Sequence, residues 1–486
     1  MCKYIIPLST NPKEWQLWAA AQLQHFDVKA IRTPYFAAEN RLSFQYNLEQ
    51  KGCHVSLDND LLQALTIHDT PSSEVDCVLN VCNIPTNLLK EQFGRDVKVW
   101  DICYHNQSLA DCTHIGEYEQ QHDQPSIHIH LVEDTCRIVD TACYQIHYSA
   151  VRNFTTVAYS VHLLLQKGIR QASATQTYFQ PSQICYNKLT YLKDFYTKIL
   201  SLRLVQLANR LYGYYGEKWT VGLGRGSFLK DGIRNMKVLP MPQTEFWADP
   251  FVYRNRVDGK IYLFIERFPF KEKKGVLACA ELDDEFNVHN MHDILTRPYH
   301  LSYPHLIEED GELYMMPECS ANRQLEVYRC VQFPDQWELY SCGMKGECLA
   351  DTVYYRDKNG DAWLFTAQCD TSVDLHCTIM NIYKVDSLKL NQIIPHKQNP
   401  IIINCEHSRN GGRIYEENGR CYRVAQNNTH GMYGYGISVR EIVKLTIDEY
   451  EEVEVKQQLG RNIPAFLGTH QMCQIDGVFA MDLRKS

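Results

Sequence analysis

The sequence predicts two architectures in one chain. An α/β layer occupies residues 1–168, a linker and connecting helix follow at 169–240, and a five-bladed β-propeller fills 241–486. Three observations predict this. Short β-type runs alternate with helix-type runs in the first third. Five of the Asx-Gly dipeptides in the second half recur at near-constant spacing. A polar residue interrupts an apolar strand at a similar distance from nearly every one of those turns.

The totals frame the reading. At 486 residues the chain is long enough for two or three domains, and 44% hydrophobic with 11% aromatic residues supplies real cores. A net charge of −9 argues against nucleic acid as a partner, whose footprint is a basic patch. Nineteen cysteines lie at irregular spacing without a CxxC pair, so zinc-site spacing is absent and no metal is expected. An odd thiol count without a signal-peptide pattern predicts reduced cysteines in a cytoplasmic setting. No apolar run approaches the ~18 residues of a membrane span, and no cofactor motif of the GxGxxG or P-loop type occurs.

In the first third, Lys3–Leu8, Val28–Ile31, Cys77–Cys82, Val97–Cys103 and Ile127–Val132 read as strands. Glu14–Phe26 and Asn153–Leu165 read as helices, with apolar residues at helical spacing. That alternation predicts a partly parallel sheet. Gly168–Cys185 is polar and reads as a linker. Asn187–Tyr215 is an amphipathic helix, either connecting two domains or belonging to the first.

The second half repeats. Gly259, Gly311, Gly360, Gly419 and Gly477 each follow Asp or Asn, and successive glycines are 49 to 59 residues apart. Asx-Gly is the strongest short hairpin signal, because a type I′ turn needs positive φ at both central residues. Five such hairpins at a blade-like period predict a five-bladed propeller. The register then places a site on one face. Asp249, Asp351, Arg409 and His470 precede their turns, and the second blade offers Tyr303 and His305. Glu266, Glu318 and Gln426 follow theirs. Carboxylates that recur in apolar strands are costly unless they share a pocket or are paired. A channel network tying blades together is the competing reading.

Opposed carboxylates are a tool of glycosyl chemistry, one ionised and one protonated. Trp247, Phe246, Tyr303, Tyr433 and Tyr435 offer faces on which sugars stack. Arg409, Arg413 and Arg423 offer forks for a ligand carboxylate or phosphate. Tyr433 and Tyr435, each followed by glycine, suggest an exposed loop.

The segments FWADPFV (246–252), LSYPHLIEEDGELYMMPE (301–318), 350–352, NGGRIYEENGRCYRVAQ (410–426) and YGYG (433–436) together resemble the N-terminal domain of glucosamine inositolphosphorylceramide transferase. More distantly they are similar to arabinanase- and levansucrase-type five-bladed glycosidases. The glycosidase resemblance implies Asp249 as base or nucleophile and Asp351 as the residue that tunes the acid. Where it implies an acid on the fourth blade, the chain has Arg409; Glu406 stands three residues away and Glu318 could reach in from the second blade, and of these Glu318 is the expected proton donor. Trp247, Glu266, Tyr303, His305, Arg409, Arg423, Gln426, Tyr435 and His470 are then expected around the substrate, a glycan or activated sugar. Transfer or cleavage in surface-polysaccharide or glycolipid metabolism is the expectation; a sugar-binding propeller serving a partner transferase is the alternative. The first domain resembles a degenerate formyltransferase fold, with WDICYHNQSL (100–109) supplying His105 and Asn106, and Asp140 as third member. This implies sugar N-formylation as a further alternative.

Overall fold

The computed structural model describes residues 3–36, 48–50, 53, 55, 57–70, 74–171, 177–212, 218–234, 236–369, 373 and 375–485. The chain divides into two compact units, one built mainly from Met1–Lys198 and the other from Ile199–Cys369 and His376–Ser486.

The first unit is an α/β sheet. Strands β1 (Tyr4–Leu8), β2 (Lys29–Arg32), β3 (Ile67–His68), β4 (Cys77–Asn80) and β5 (Lys98–Tyr104) are parallel in the order 3-2-1-4-5. A short β6 (Gln107–Ser108) folds back on β5, and β7 (Ile127–Glu133) and β8 (Ile138–Tyr144) extend the sheet antiparallel. The partly parallel sheet expected from the sequence is thus present. β1 and β4 are nearly continuous apolar runs because helices cover both faces of such a sheet. β8 escapes the sequence reading because Asp140-Thr141 interrupts its apolar run. Helix α1 (Glu14–Leu23) ends three residues short of the expected boundary, and α2 (Thr86–Phe93) is not signalled at all. α3 (Ala150–Gln171) outruns the expected helix at both ends, burying Val151, Val157, Val161, Leu164 and Leu165. The start of the expected linker, Gly168–Gln171, is therefore helical. α4 (Lys188–Tyr212) begins in the first unit and ends in the second.

The second unit contains five antiparallel sheets. Blade one is β11 (Glu245–Arg254), β12 (Ile261–Pro269), β13 (Val276–Leu282) and β14 (Val288–Leu295). Blade two is β15 (Ser302–Glu309), β16 (Glu312–Glu318), β17 (Leu325–Gln332) and β18 (Gln336–Gly343). Blade three is β19 (Leu349–Arg356), β20 (Ala362–Gln368), β21 (Ile379–Val385) and β22 (Ile393–Pro395), with β23 (Ile402–Ile403) beside β21. Blade four is β24 (Tyr415–Glu417), β25 (Arg420–Asn427), β26 (Gly436–Leu445) and β27 (Tyr450–Leu459). Inner strands pack on both faces and are apolar. Outermost strands such as β27, YEEVEVKQQL, carry the charges that discourage edge pairing.

Blade five closes the ring from both ends of the repeat. Its hairpin is β29 (Met472–Ile475) with β30 (Val478–Lys485), and its other strands are β9 (Trp219–Arg225) and β10 (Lys237–Val238). β28 (Phe466–Gly468) lies on the far end of β30. The propeller therefore starts at Trp219, not at residue 241. The expected linker region holds two of its strands, because a ring of blades has no free edge only when the last sheet is completed by chain preceding the first.

Three of the five Asx-Gly pairs have positive φ at both residues, as a type I′ turn requires: Asp310-Gly311, Asn418-Gly419 and Asp476-Gly477. The other two lie in wider loops closed by the pairs Arg254–Ile261 and Arg356–Ala362, and there only the glycine is left-handed.

Candidate functional site

Strands β11, β15 and β19 open three blades, and each is broken at the same place. The register slips between Ala248 and Phe251, between Ser302 and His305, and between Ala350 and Val353. Just inside each slip stands a non-glycine residue in the left-handed region: Asp249 (φ 52°), Tyr303 (φ 49°) and Asp351 (φ 45°). Such backbone costs of order 1–3 kcal/mol and persists only where surroundings enforce it. A bulge takes a residue out of the ladder and re-aims its side chain.

Asp249 is 4% exposed. Its Oδ1 accepts from Nε2 of His470 at 2.9 Å and its Oδ2 from the Tyr303 amide at 2.9 Å. Burial opposes its charge, but His470, the amide and Arg409 outweigh burial and hold the carboxyl below its ordinary range. His470 reaches Asp482 on its other side. Nδ1 lies 2.9 Å from Asp482 Oδ2, close enough for charge pairing though out of line for a hydrogen bond. Burial alone would strip the imidazole of its charge; Asp482 and Asp249 reverse that and push it up to about 10. Asp249, His470 and Asp482 bring three donor atoms within 4.8 Å of one another, the one metal-like grouping among the described residues.

Glu266 lies in the same pocket with the opposite tendency. Burial first, then the negative charge of Asp249, raise its carboxyl well above the ordinary range. The Gly275 amide donates to Nδ1 of His300, so neutral His300 carries its proton on Nε2, 3.3 Å from Glu266 Oε1. Burial keeps His300 neutral.

A third group spans blades two, three and four. Arg409 donates from Nε to Asp351 Oδ2 at 2.6 Å and from Nη2 to Glu318 Oε2 at 3.1 Å. Gln426 donates to the same Asp351 oxygen at 2.6 Å. Burial, with Glu318 and Asp249 nearby, pushes Asp351 up against the pull of Arg409. One cation thus serves two carboxyls.

These groups meet in a cavity of about 180 Å³ lined by Trp219, Phe246, Ala248, Asp249, Glu266, His300, Ser302, Glu318, Arg409, Tyr433 and His470. Of the residues expected around the substrate, Asp249, Glu266, Glu318, Arg409 and His470 line it. Asp351, Gln426 and Tyr303 stand behind it. Tyr303 binds Gly412 through its hydroxyl, which donates to the Gly412 carbonyl and accepts from its amide, both at 2.9 Å.

Four expected positions lie elsewhere. Trp247 is buried with its indole N–H on Glu245. His305 is buried with Nε2 on the Tyr354 carbonyl, and burial pushes it down to about 3. Arg423 has no exposed surface and is committed to Glu452, Asn410 and the His407 carbonyl. Tyr435 is buried and stacked on His430, so the Tyr433–Gly436 segment is not an exposed loop. The sequence reading missed Trp219, His300 and Ser302. Trp219 sits on the strand that closes the ring, His300 lies between blades one and two, and Ser302 is the first residue of β15, where no turn signal marks it.

In the first unit, His105 contacts Glu119 (2.9 Å) and Ser182 (2.7 Å), Asn106 is exposed, and Asp140 pairs with Lys167 (2.7 Å).

The charge on His470 yields a stability prediction. A group whose folded pKa lies above its ordinary ~6.5 contributes stability that is whole below that pH and is lost as pH rises toward about 10. Urea unfolding at pH 7 and pH 10 is expected to show a larger loss in the wild type than in His470→Gln. Equal losses would mean that the folded state does not hold this proton.

Residues 237–466 match the family model described as glucosamine inositolphosphorylceramide transferase 1, N-terminal. A relative of that name from Arabidopsis thaliana is 34% identical over 224 residues, which is 44% of this chain and 27% of the relative. One from Oryza sativa subsp. japonica is 32% identical over 216 residues, 44% and 28% respectively. The matched segment thus spans little more than a quarter of those relatives. Among solved structures, a β-xylosidase/α-arabinofuranosidase from a compost metagenome aligns over 54% of this chain and 93% of its own, at 13% identity and a TM-score of 0.37. The C-terminal half of the chain resembles the N-terminal domain of glucosamine inositolphosphorylceramide transferase.

Proposed function

We propose that the propeller face acts on a glycan or activated sugar, transferring or cleaving a glycosyl group at a single terminal sugar unit. The supporting observation is the split between two carboxyls in one pocket, Asp249 held ionised and Glu266 held protonated. Environments that push two titratable groups apart are how a site acquires a base and an acid. Asp249 serves as base or nucleophile and Glu266 as proton donor. Glu318, the proton donor expected from the sequence, instead accepts from Arg409 Nη2 at 3.1 Å. The cavity is smaller than the ~300–1,000 Å³ typical of drug-sized ligands, which suits one sugar ring with the rest of the substrate outside. Trp219, Phe246 and Tyr433 supply aromatic walls.

A second reading, sugar binding without turnover, draws on Arg409 in the place of a fourth-blade acid. It also draws on the family match, which covers an N-terminal segment and leaves most of each relative's length unmatched. Thermal shift against nucleotide sugars, oligosaccharides and formyl-folate tests both. A sugar-dependent rise in melting temperature, altered in an Asp249→Asn/Asp351→Asn double variant, is expected. A response to formyl-folate alone would move the chemistry to the first unit and sink the proposal.

A further inference from the structure

Three side chains of the first unit form a chain of contacts that the sugar chemistry does not use. Ser182, His105 and Glu119 all belong to the unit built mainly from Met1–Lys198. Nδ1 of His105 lies 2.7 Å from the Ser182 hydroxyl, and its Nε2 lies 2.9 Å from Oε1 of Glu119. Exposure falls along the series. Ser182 is exposed, the His105 side chain is 20% exposed and that of Glu119 only 4%.

Each residue is held by its own piece of the fold. β5 and β6 pair Tyr104 with Gln107, so His105 and Asn106 make a two-residue hairpin turn. His105 has φ 50° there, at a position where glycine is the usual residue. Backbone of that kind persists only where its surroundings enforce it. The rings of Tyr104 and Tyr118 meet the imidazole edge-on, with centroids 4.6 and 5.2 Å away. Glu119 sits on the short helix Glu117–Gln121, and its second oxygen accepts from the Tyr104 hydroxyl at 2.7 Å. Among the described residues no Lys or Arg pairs with it, and its one basic partner is His105. The stretch that carries Ser182 is tied on both sides. The Phe179 amide donates to the Cys136 carbonyl at 2.7 Å, and Asn187 exchanges two hydrogen bonds with Gln121.

The order of contacts fixes the protons. With its Nε2–H given to Glu119, neutral His105 keeps its lone pair on Nδ1, and the Ser182 hydroxyl donates to it. A nucleophile, a base and an orienting carboxylate within hydrogen-bond reach are what activates a hydroxyl for acyl transfer. The two ring nitrogens exchange the roles they have in chymotrypsin-type triads, and the proton balance is the same. A serine–histidine contact alone would be ordinary surface bonding. The buried carboxylate behind His105 and the strained turn that aims it argue for activation.

We propose that Ser182 is the nucleophile of a second site, which cleaves carboxylic esters. Ser182 Oγ bonds to the ester carbonyl carbon while His105 Nδ1 takes the hydroxyl proton. The bond from that carbon to the alcohol oxygen breaks, and the alcohol leaves with the same proton, giving acyl-Ser182. Water then gives a proton to His105 and attacks the acyl carbon, the acid is released, and Ser182 recovers its proton. Glu119 is a positioning residue: it holds the imidazole in one tautomer and stabilises the imidazolium that forms. The inference does not rest on the sugar chemistry of the propeller.

A fluorophosphonate probe and p-nitrophenyl acetate, each with the full chain, test it. The probe is expected to phosphonylate Ser182 with loss of fluoride, read by peptide mass spectrometry. His105→Gln should slow that labelling by about 10²-fold or more, the range for loss of a general base. Ser182→Ala should abolish enzymatic release of nitrophenol without lowering the melting temperature, because the side chain is exposed. Glu119→Gln should lower kcat for the acetate by about 10²-fold and leave KM nearly unchanged, a split that a merely structural role would not give. A wild type that takes no label on Ser182 overturns the proposal. So does labelling that keeps its full rate in His105→Gln, or nitrophenol release undiminished in Ser182→Ala.

Discussion

Asp249→Asn is expected to cut kcat/KM on a responsive sugar substrate by about 10³-fold, within the range for loss of a general base or nucleophile. Asparagine keeps the shape, and its carbonyl still accepts from Nε2 of His470 or from the Tyr303 amide. Only the negative charge disappears, and with it both the proton acceptor and one of the two carboxylates holding the proton on His470. Glu266→Gln is the companion measurement: it keeps a hydrogen-bonding group but has no acid proton to give. If both variants bind sugar normally and turn over slowly, the two carboxyls share the chemistry. Full turnover in Asp249→Asn removes that residue from catalysis and leaves the pocket as a binding site.

Arg423→Met should cost about 3–5 kcal/mol of stability, measured by urea unfolding, because it removes the buried two-point partner of a buried carboxylate. Arg423 donates to Glu452 through Nε at 2.8 Å and Nη2 at 2.7 Å, and neither residue is more than 5% exposed at its side chain. Glu452 also accepts from Arg440 and the Tyr450 hydroxyl. Burial opposes its charge, yet Arg423 and its other partners hold it well below the ordinary carboxylate range. That network contributes above the ordinary glutamate pKa and is lost as acid is added, so the gap between variant and wild type should narrow at low pH. Sugar binding per folded molecule should be unchanged. A variant that folds as well as wild type but loses ligand would return Arg423 to the binding site.

The fold of the second unit was legible because turn chemistry is local. Asp310-Gly311 and Asp476-Gly477 announce their hairpins without reference to anything distant. The ring closure was not legible, because β9 carries no turn of its own and meets β30 only across more than 250 residues. The site was legible as a face but not as a pocket. Asp249 and Arg423 are both polar residues in apolar strands. Which one reaches the cavity depends on a bulge in one strand and on a buried partner for the other. His305 shows the same limit: two residues beyond Tyr303, it has returned to the ladder and turned toward Tyr354. Glu266 was legible as a position, but its proton was not, since that depends on the charge of Asp249 and on burial.

The closing blade has a consequence for when the protein becomes competent. His470 and Trp219 stand at the two ends of the propeller sequence, and the cavity needs both. During synthesis, blades one to four emerge with their turns and bulges complete, yet Asp249 still has no imidazolium to face it. The final hairpin delivers that partner as it zips onto β9. An unfinished or C-terminally clipped chain is thus expected to lack a complete cavity while nearly whole.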